Sequence, residues 1–369
     1  MHIVLNIDNN FIPHAAALIV SVLSNNKPCA ARGNVTIQVL SNGVSEDNKQ
    51  ALISLAAKFG GIVVFSELDD FEDRLARLLG RKPETGKFSL TVLARIFATE
   101  YVPEDVEHFL YLDSDMIVRG DLSGLFSLMD DEKTAAESSE SVAMAASEVM
   151  TSKGSSSAST VATAFDGASN DGDRCEQKKR YIIMAAAEPT IYEELVVSDR
   201  YFNSGMMLID RRAWVEEDIT KKCVDYYREH NGELSFVDQD ILNHVLSGRV
   251  GYVSQRYNFQ TNYHYQSYNS LIKRAPWYGE IENAEDYREA AKDPVIVHFA
   301  GDERPWIKGN HNPYRDDYYK YLDKTPWRDT PQVKGREGYM LFYHTVNVLS
   351  KTLPGFRTLV SRIYRKVGK

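Results

Sequence analysis

The residues with the plainest chemical potential are Asp113 and Asp115, which flank Ser114 in FLYLDSDMIVRGDL, just where an apolar run ends. In an extended segment, side chains at i and i+2 share a side. Two carboxylates held that way raise each other's pKa unless a cation or a strong donor lies between them. A hard divalent ion such as Mg²⁺ or Mn²⁺ relieves that repulsion and can also hold a diphosphate. A strand-ending Asx turn has the same local signature, with Gly120-Asp121 close behind, so the triplet alone leaves turn and site open.

Other residues supply matching chemistry. HFAGDERPW gathers His298, Gly301, Arg304 and Trp306. Those types suit a metal ligand, a close backbone approach to phosphate, a phosphate clamp and a packing anchor. A lone His at a strand end is equally at home as a structural residue. Arg95 in SLTVLARI is a second candidate for phosphate charge. In FVDQDILNH, Asp238, Gln239 and Asp240 open a helix. They either complement its dipole or put one acid and one amide into a pocket, with Asp240 as a buttress. The aromatics between Gly251 and Tyr287 suit a core, or platforms that stack on sugar rings.

These residues need elements to position them. HIVLNID, VTIQVL, GIVVFSEL, HFLYLD and PVIVHFAG read as strands, and regular patterning of unassigned type resumes at YIIMAAAEP and RYFNSGMMLIDRRAW. Between them, PHAAALIVSVLSNN has Pro13 in a plausible first helical turn, and SEDNKQALISLAAKFG has Ser45 as N-cap and Gly60 as stop. SLTVLARIFATEYVP reads as an amphipathic helix ended by Pro103, and TKKCVDYYREHN and VDQDILNHVLSG as further helices. Strands alternating with helices predict an α/β fold, a Rossmann-like, mostly parallel sheet with helices on both faces. Ligands of such sheets bind beyond the carboxyl ends of the strands, where Asp8 and the Asp113/Asp115 pair fall. Residues 132–180, rich in Ser, Ala, Thr and Gly, read as a low-complexity insertion, either a surface excursion or an active-site lid.

With 369 residues and 43% hydrophobic content the chain is an ordinary globular length and composition. Cys29, Cys175 and Cys223 are scattered, which fits a reducing cytoplasm and argues against a disulfide framework or a zinc site. The start, MHIVLNID, has no basic segment leading into an apolar core, so no secretory signal is expected, and no apolar run approaches a membrane span. The net charge of −9 conceals a basic end: Lys334–Lys369 holds eight Lys or Arg against Glu337 alone. In FRTLVSRIYRKVGK, the residues Phe356, Leu359, Val360, Ile363, Tyr364 and Val367 form one helical stripe, with Arg357, Arg362, Arg365 and Lys366 elsewhere on the wheel. This predicts a basic amphipathic C-terminal tail over 331–369 that associates with an anionic membrane surface, or else docks on its own domain. The acidic body excludes nucleic acid as a partner.

Taken together, IVLNIDNNF, SLTVLARI, FLYLDSDMIVRGDL, RYFNSGMMLID with VDQDILN, and HFAGDERPW, in that order, resemble glycosyltransferase family eight. That family includes bacterial lipopolysaccharide galactosyl- and glucosyltransferases and glycogenin. The resemblance implies a GT-A fold over residues 1–330, dependence on Mn²⁺ or Mg²⁺, and retention at the anomeric carbon. It implies UDP-glucose or UDP-galactose as donor and a lipopolysaccharide core or other lipid-linked surface glycan as acceptor. The enzyme would then be cytoplasmic, peripheral on the inner face of the plasma membrane.

Residue by residue, the resemblance implies that Asp8, with Asn6 and Asn10 beside it, reads the uracil, and that Arg95 binds donor. Asp113 and Asp115 stand at the metal-binding pair, with Ser114 between them and Asp113 also near the donor ribose; His298 completes the metal ligands. Asn203 falls at the donor sugar, Asp238 and Gln239 nearest the transferred sugar as catalytic candidates, and Gly301 and Arg304 at the diphosphate, where the family more often has Lys. Phe11 stands where an aromatic stacks on uracil, and Glu188 or Glu148 is the candidate for a further donor-sugar carboxylate. Two alternatives accompany this reading. One is a phosphatase of haloacid-dehalogenase type using the Asp113/Asp115 pair, which such enzymes place nearer the chain start. The other is a catalytically silent carbohydrate-binding protein.

Overall fold

A computed structural model describes residues 1–27, 34–83, 85, 89–129, 180–191, 197–352, 356 and 360. Seven strands form the main sheet: β1 (His2–Asp8), β2 (Val35–Asn42), β3 (Gly61–Glu67), β4 (His108–Leu112), β6 (Ile183–Ala187), β7 (Phe202–Asp210) and β8 (Val250–Val253). Their order is β3-β2-β1-β4-β7-β6-β8. All run parallel except β7, which is antiparallel to both β4 and β6. A second, three-stranded sheet joins β5 (Met116–Val118), β10 (Ile296–His298) and β9 (Phe259–Gln260), in the order β5-β10-β9.

The period-2 pattern of the strands divides the core into two layers. Leu110 and Leu112 of β4 face one layer, which holds the helices Ile12–Asn25 and Glu46–Lys58; Phe109 and Tyr111 face the other, which holds Phe71–Leu79, Ile219–Glu229 and Asp238–Val245. The expected α/β architecture, with helices on both faces, is what the chain adopts. Helix Ile12–Asn25 begins with Pro13 in its first turn and is buried without a break from His14 to Leu23. The Ser45 hydroxyl accepts from Asn48 N at 3.4 Å to cap the next helix, and Gly60, at φ +79°, ends it.

Residues 90–100 depart from expectation. They form a 3₁₀ helix rather than an amphipathic α-helix, and the run Leu93–Thr99 is buried on all sides. The segment is enclosed between β1 and the helices Arg211–Glu216, Ile219–Glu229 and Asp238–Val245, so tertiary packing overrides the helical periodicity.

Among the described residues no helix is long and apolar enough to cross a membrane. The helix Glu337–Thr352 docks on the body through buried Met340, while Leu341 and Phe342 are exposed. The insertion expected over 132–180 lies outside the described residues except for Arg180, and so does most of the apolar stripe expected after Pro354.

Candidate active site

The Asp113-Ser114-Asp115 triplet is the crossover between the two sheets: β4 ends at Leu112 and β5 begins at Met116. Its backbone is fastened to both. Asp113 N donates to Gly205 O of β7 at 2.8 Å, and Phe299 N donates to Asp115 O at 2.9 Å, one residue past His298. Because β7 runs against its neighbours, its start (Asn203, Ser204, Gly205) arrives at the same edge as the ends of β1 and β4. An open cavity of about 520 Å³ lies there, lined by Asn6, Asp8, Phe11, Arg95, Asp113, Ser114, Asp115, Asn203, Asp238, Gln239 and Arg304.

Asp113, Asp115 and His298 each offer a ligand atom within 4.8 Å of the others. His298 Nε2 stands 3.3 Å from Asp115 Oδ1, and Arg304 reaches Asp115 Oδ2 at 3.2 Å. Burial opposes the charge on Asp115, but Arg304 and His298, when protonated, outweigh it and hold the carboxyl well below its usual range. The donor set, two carboxylates and one imidazole, suits Mn²⁺ or Mg²⁺. Gly205 leaves these groups their room by carrying no side chain. A Cβ on Gly205 would lie 2.7 Å from His298 Cε1, 2.8 Å from Asp113 Oδ2 and 2.9 Å from Asn203 Oδ1.

The remaining candidates fall at different depths. Asp8 caps the 3₁₀ turn Asn9–Phe11, its Oδ1 accepting from Asn10 N at 2.9 Å and Phe11 N at 3.0 Å. Asn6 donates to Thr91 O, and its Oδ1 is a buried acceptor with no partner among the described residues. Ser114 is buried and donates to Asn6 O at 3.0 Å, so it ties the triplet to β1 rather than merely spacing two acids.

Arg95 is buried and committed. It donates to Ser204 O at 2.9 Å, Ser204 Oγ at 3.0 Å and Asp113 Oδ1 at 2.8 Å, and lies 3.2 Å from Asp238 Oδ2. Its guanidinium, expected from its type to meet donor phosphate, is engaged by the two carboxylates while still lining the cavity. Although burial alone would lower its pKa, Asp113 and Asp238 keep the guanidinium above its ordinary value.

Gln239 Oε1 accepts from Asn203 Nδ2 and Ser204 N, both at 3.1 Å. Val237, just before Asp238, is held at φ +40°, a strained backbone for a β-branched residue and one that turns Asp238 and Gln239 into the cavity. Asp240 is the buttress, accepting from Tyr201 OH and from Phe236 N at 2.8 Å.

Asn10 and Gly301 do not line the cavity among the described residues: Asn10 is exposed, and Gly301 sits at φ +93° behind Arg304, which donates to its carbonyl at 3.1 Å. Glu188 is buried and spent on Gln260, Tyr263 and Thr190, away from the cavity lining; Glu148 lies outside the described residues.

The model of the family described as "Glycosyl transferase family 8" matches residues 2–309. The chain belongs to this family. General stress protein A of Bacillus subtilis is 27% identical over 332 residues, which cover 89% of this chain and 94% of that protein. A lipopolysaccharide 1,2-glucosyltransferase of Escherichia coli is 23% identical, over 89% of this chain and 79% of that protein. Among solved structures, the galactosyltransferase LgtC in complex with donor and acceptor sugar analogs superposes with a TM-score of 0.57 at 20% identity, covering 89% of this chain and 99% of that one. The likeness establishes the GT-A fold.

Membership in family 8 sets the phosphatase reading aside, and the geometry agrees: Asp113 Oδ1 is engaged by Arg95 and by Tyr111 OH at 3.3 Å, a poor state for a nucleophile. Three contributors to this family 8 site went unread in the sequence. Ser204 links Arg95 to Asp238, donating to Asp238 Oδ2 at 3.0 Å. Gly205 is the cradle, and a glycine inside an apolar strand was its signal. Asn258, which meets His298 Nδ1 at 3.0 Å, has none: SQRYNFQ contains nothing to mark it.

Proposed function

We propose that this family 8 chain is a retaining, metal-dependent hexosyltransferase that moves glucose or galactose from a UDP-sugar to a lipopolysaccharide core or another cell-surface glycan. The observation that carries the reading is the convergence of Asp113, Asp115 and His298 on one point beside Arg304 and Gln239. Asp113, Asp115 and His298 would hold Mn²⁺ or Mg²⁺, whose contribution when bound is to offset charge on the diphosphate.

The protein's own residues do the rest. Asp8, Asn6 and Phe11 line the end of the cavity suited to a nucleobase. Arg304, at the cavity mouth and stacked 5.7 Å over Trp306, faces the leaving diphosphate and stabilises the charge that develops on it. Arg95 keeps Asp113 and Asp238 in place. Gln239, with its oxygen already accepting two hydrogen bonds, is unsuited to attack, which supports a front-face route. In that route the acceptor hydroxyl forms a bond to the anomeric carbon on the side from which the phosphate oxygen departs, and its proton passes to that oxygen.

The likeness to a lipopolysaccharide 1,2-glucosyltransferase of Escherichia coli supports a lipopolysaccharide acceptor. The basic tail supports peripheral association with the inner face of the plasma membrane, where a lipid-linked acceptor resides. A donor screen with Mn²⁺ tests the reading. UDP release from UDP-glucose or UDP-galactose, lost in EDTA, is expected, with retained configuration in the product. Inorganic phosphate release without UDP, or sugar binding without turnover, would overturn it.

A further inference from the structure

We infer that Asn258 is a positioning residue that sets the tautomer of His298 and ties the metal end of the site to the Gln239 end. The inference rests on the metal reading above. Two main-chain donors of β7 decide it. Gly205 N donates to Asn203 Oδ1 at 3.1 Å, and Ser204 N donates to Gln239 Oε1 at 3.1 Å. A main-chain N–H only donates, so each identifies the oxygen end of the amide it meets. Asn203 Nδ2 accordingly donates to Gln239 Oε1 at 3.1 Å, and Asn203 Oδ1 accepts a second bond, from Asn258 Nδ2, at 2.9 Å.

With its nitrogen committed there, Asn258 turns its oxygen to His298 Nδ1 at 3.0 Å. An oxygen in that place requires the proton on Nδ1. The lone pair of the neutral ring is then on Nε2, the nitrogen 3.3 Å from Asp115 Oδ1, where a cation belongs. Reversing the Asn258 amide would set two oxygens 2.9 Å apart at Asn203. Asn258 is 0% exposed, so bulk water does not reach either end. One chain of bonds of fixed polarity therefore links the β7 backbone through Asn203 and Asn258 to His298 Nδ1, across the ring from the metal-ligand nitrogen Nε2, and the same backbone and Asn203 hold Gln239.

The direct test is a long-range ¹H–¹⁵N correlation of the histidine rings in the intact, metal-free protein, at a pH where the rings are neutral, with His298→Gln used to identify the signal. His298 is expected with its proton on Nδ1; a proton on Nε2 overturns the inference. A pair of variants separates positioning from packing. Asn258→Asp keeps an acceptor for Nδ1 but cannot donate to Asn203; Asn258→Leu loses both. Without donor sugar, Mn²⁺ binding read by electron paramagnetic resonance should be no weaker than the parent's in Asn258→Asp and about 10- to 100-fold weaker in Asn258→Leu. UDP release should fall about tenfold or more in both, the order of effect of a displaced orienting residue. Equal loss of Mn²⁺ affinity in the two variants overturns the inference. Absence of Mn²⁺ binding by the parent sinks the metal reading instead, and the tautomer result stands apart from it.

Discussion

Arg95 donates to Asp113 Oδ1 at 2.8 Å, and the same buried guanidinium lies 3.2 Å from Asp238 Oδ2. Two acids from distant parts of the chain thus share one cation. Removing it leaves buried Asp238 and half-buried Asp113 facing each other without a counter-charge. Arg95→Met should destabilise the fold by about 3–5 kcal/mol, the usual cost of an orphaned buried charge. Arg95→Lys should recover only part of that, since an ammonium cannot span both partners with a planar fork. Urea denaturation of the three proteins checks this; a loss below about 1 kcal/mol for Arg95→Met would show that the cluster is not held by charge.

The same cluster predicts a pH dependence. Burial pushes the Asp238 carboxyl up to about 6 against the pull of Arg95, with Asp113 adding to the rise. The unfolded chain has its Asp near 3.9, so the native state binds the proton more tightly. The associated stability is complete below about pH 4 and is lost as pH rises through about 6. Asp238→Asn should flatten the pH–stability curve over that window by at most about 3 kcal/mol. An unchanged curve would contradict the assignment. If Asp113 holds Mn²⁺ as proposed, the ion offsets a charge that raises the Asp238 pKa, and the parent's transition should move to lower pH when metal is added.

Gly205 leaves no room for a methyl group between His298, Asp113 and Asn203. Gly205→Ala should weaken Mn²⁺ binding and reduce turnover at least tenfold through misplacement of these groups, while costing about 1–3 kcal/mol in stability as overpacking does. Calorimetric Mn²⁺ titration is the decisive measurement; parental affinity would place the metal elsewhere.

Asp115→Ala should abolish UDP release and Mn²⁺ binding while leaving the melting transition cooperative. Gln239→Ala should act on turnover more than on donor affinity, because its oxygen orients Asn203 and Ser204 rather than anchoring a phosphate. Steady-state kinetics that show the opposite split, KM raised and kcat kept, would assign Gln239 to donor binding.

Two truncations distinguish the roles of the C-terminal region. The helix Glu337–Thr352 grips the segment that carries Arg304: Tyr339 OH donates to Asp302 Oδ2 at 2.9 Å, and His344 lies 3.3 Å from Glu303. Ending the chain at residue 336 should therefore weaken UDP binding. Ending it at 352 removes Arg357, Arg362, Arg365, Lys366 and Lys369. That shorter loss should spare UDP binding and abolish sedimentation with anionic vesicles, each basic side chain near such a surface being worth about 1 kcal/mol. Vesicle binding by the 352-residue chain would move the membrane contact to the exposed face bearing Leu341 and Phe342.

What the linear chain determined by itself was the alternation of elements and the identity of most groups with chemistry. Period-2 and period-3.6 patterns depend on local geometry, so β1, β4, β10 and the helix Ile12–Asn25 were legible, as were Asp113, Asp115 and His298 at element ends. The 3₁₀ conformation of Leu90–Glu100 was not, because it arises from enclosure on every side by other elements. Nor was the commitment of Arg95: its charge is written in the sequence, but its partners Ser204 and Asp238 are brought to it by the reversed direction of β7 and the turn at Val237. Tertiary structure alone decided which amide oxygen faces which nitrogen. Asn203, Gln239, Asn258 and His298 are scattered along the chain, and only the antiparallel entry of β7 puts two main-chain N–H groups where they can give those side chains a single direction.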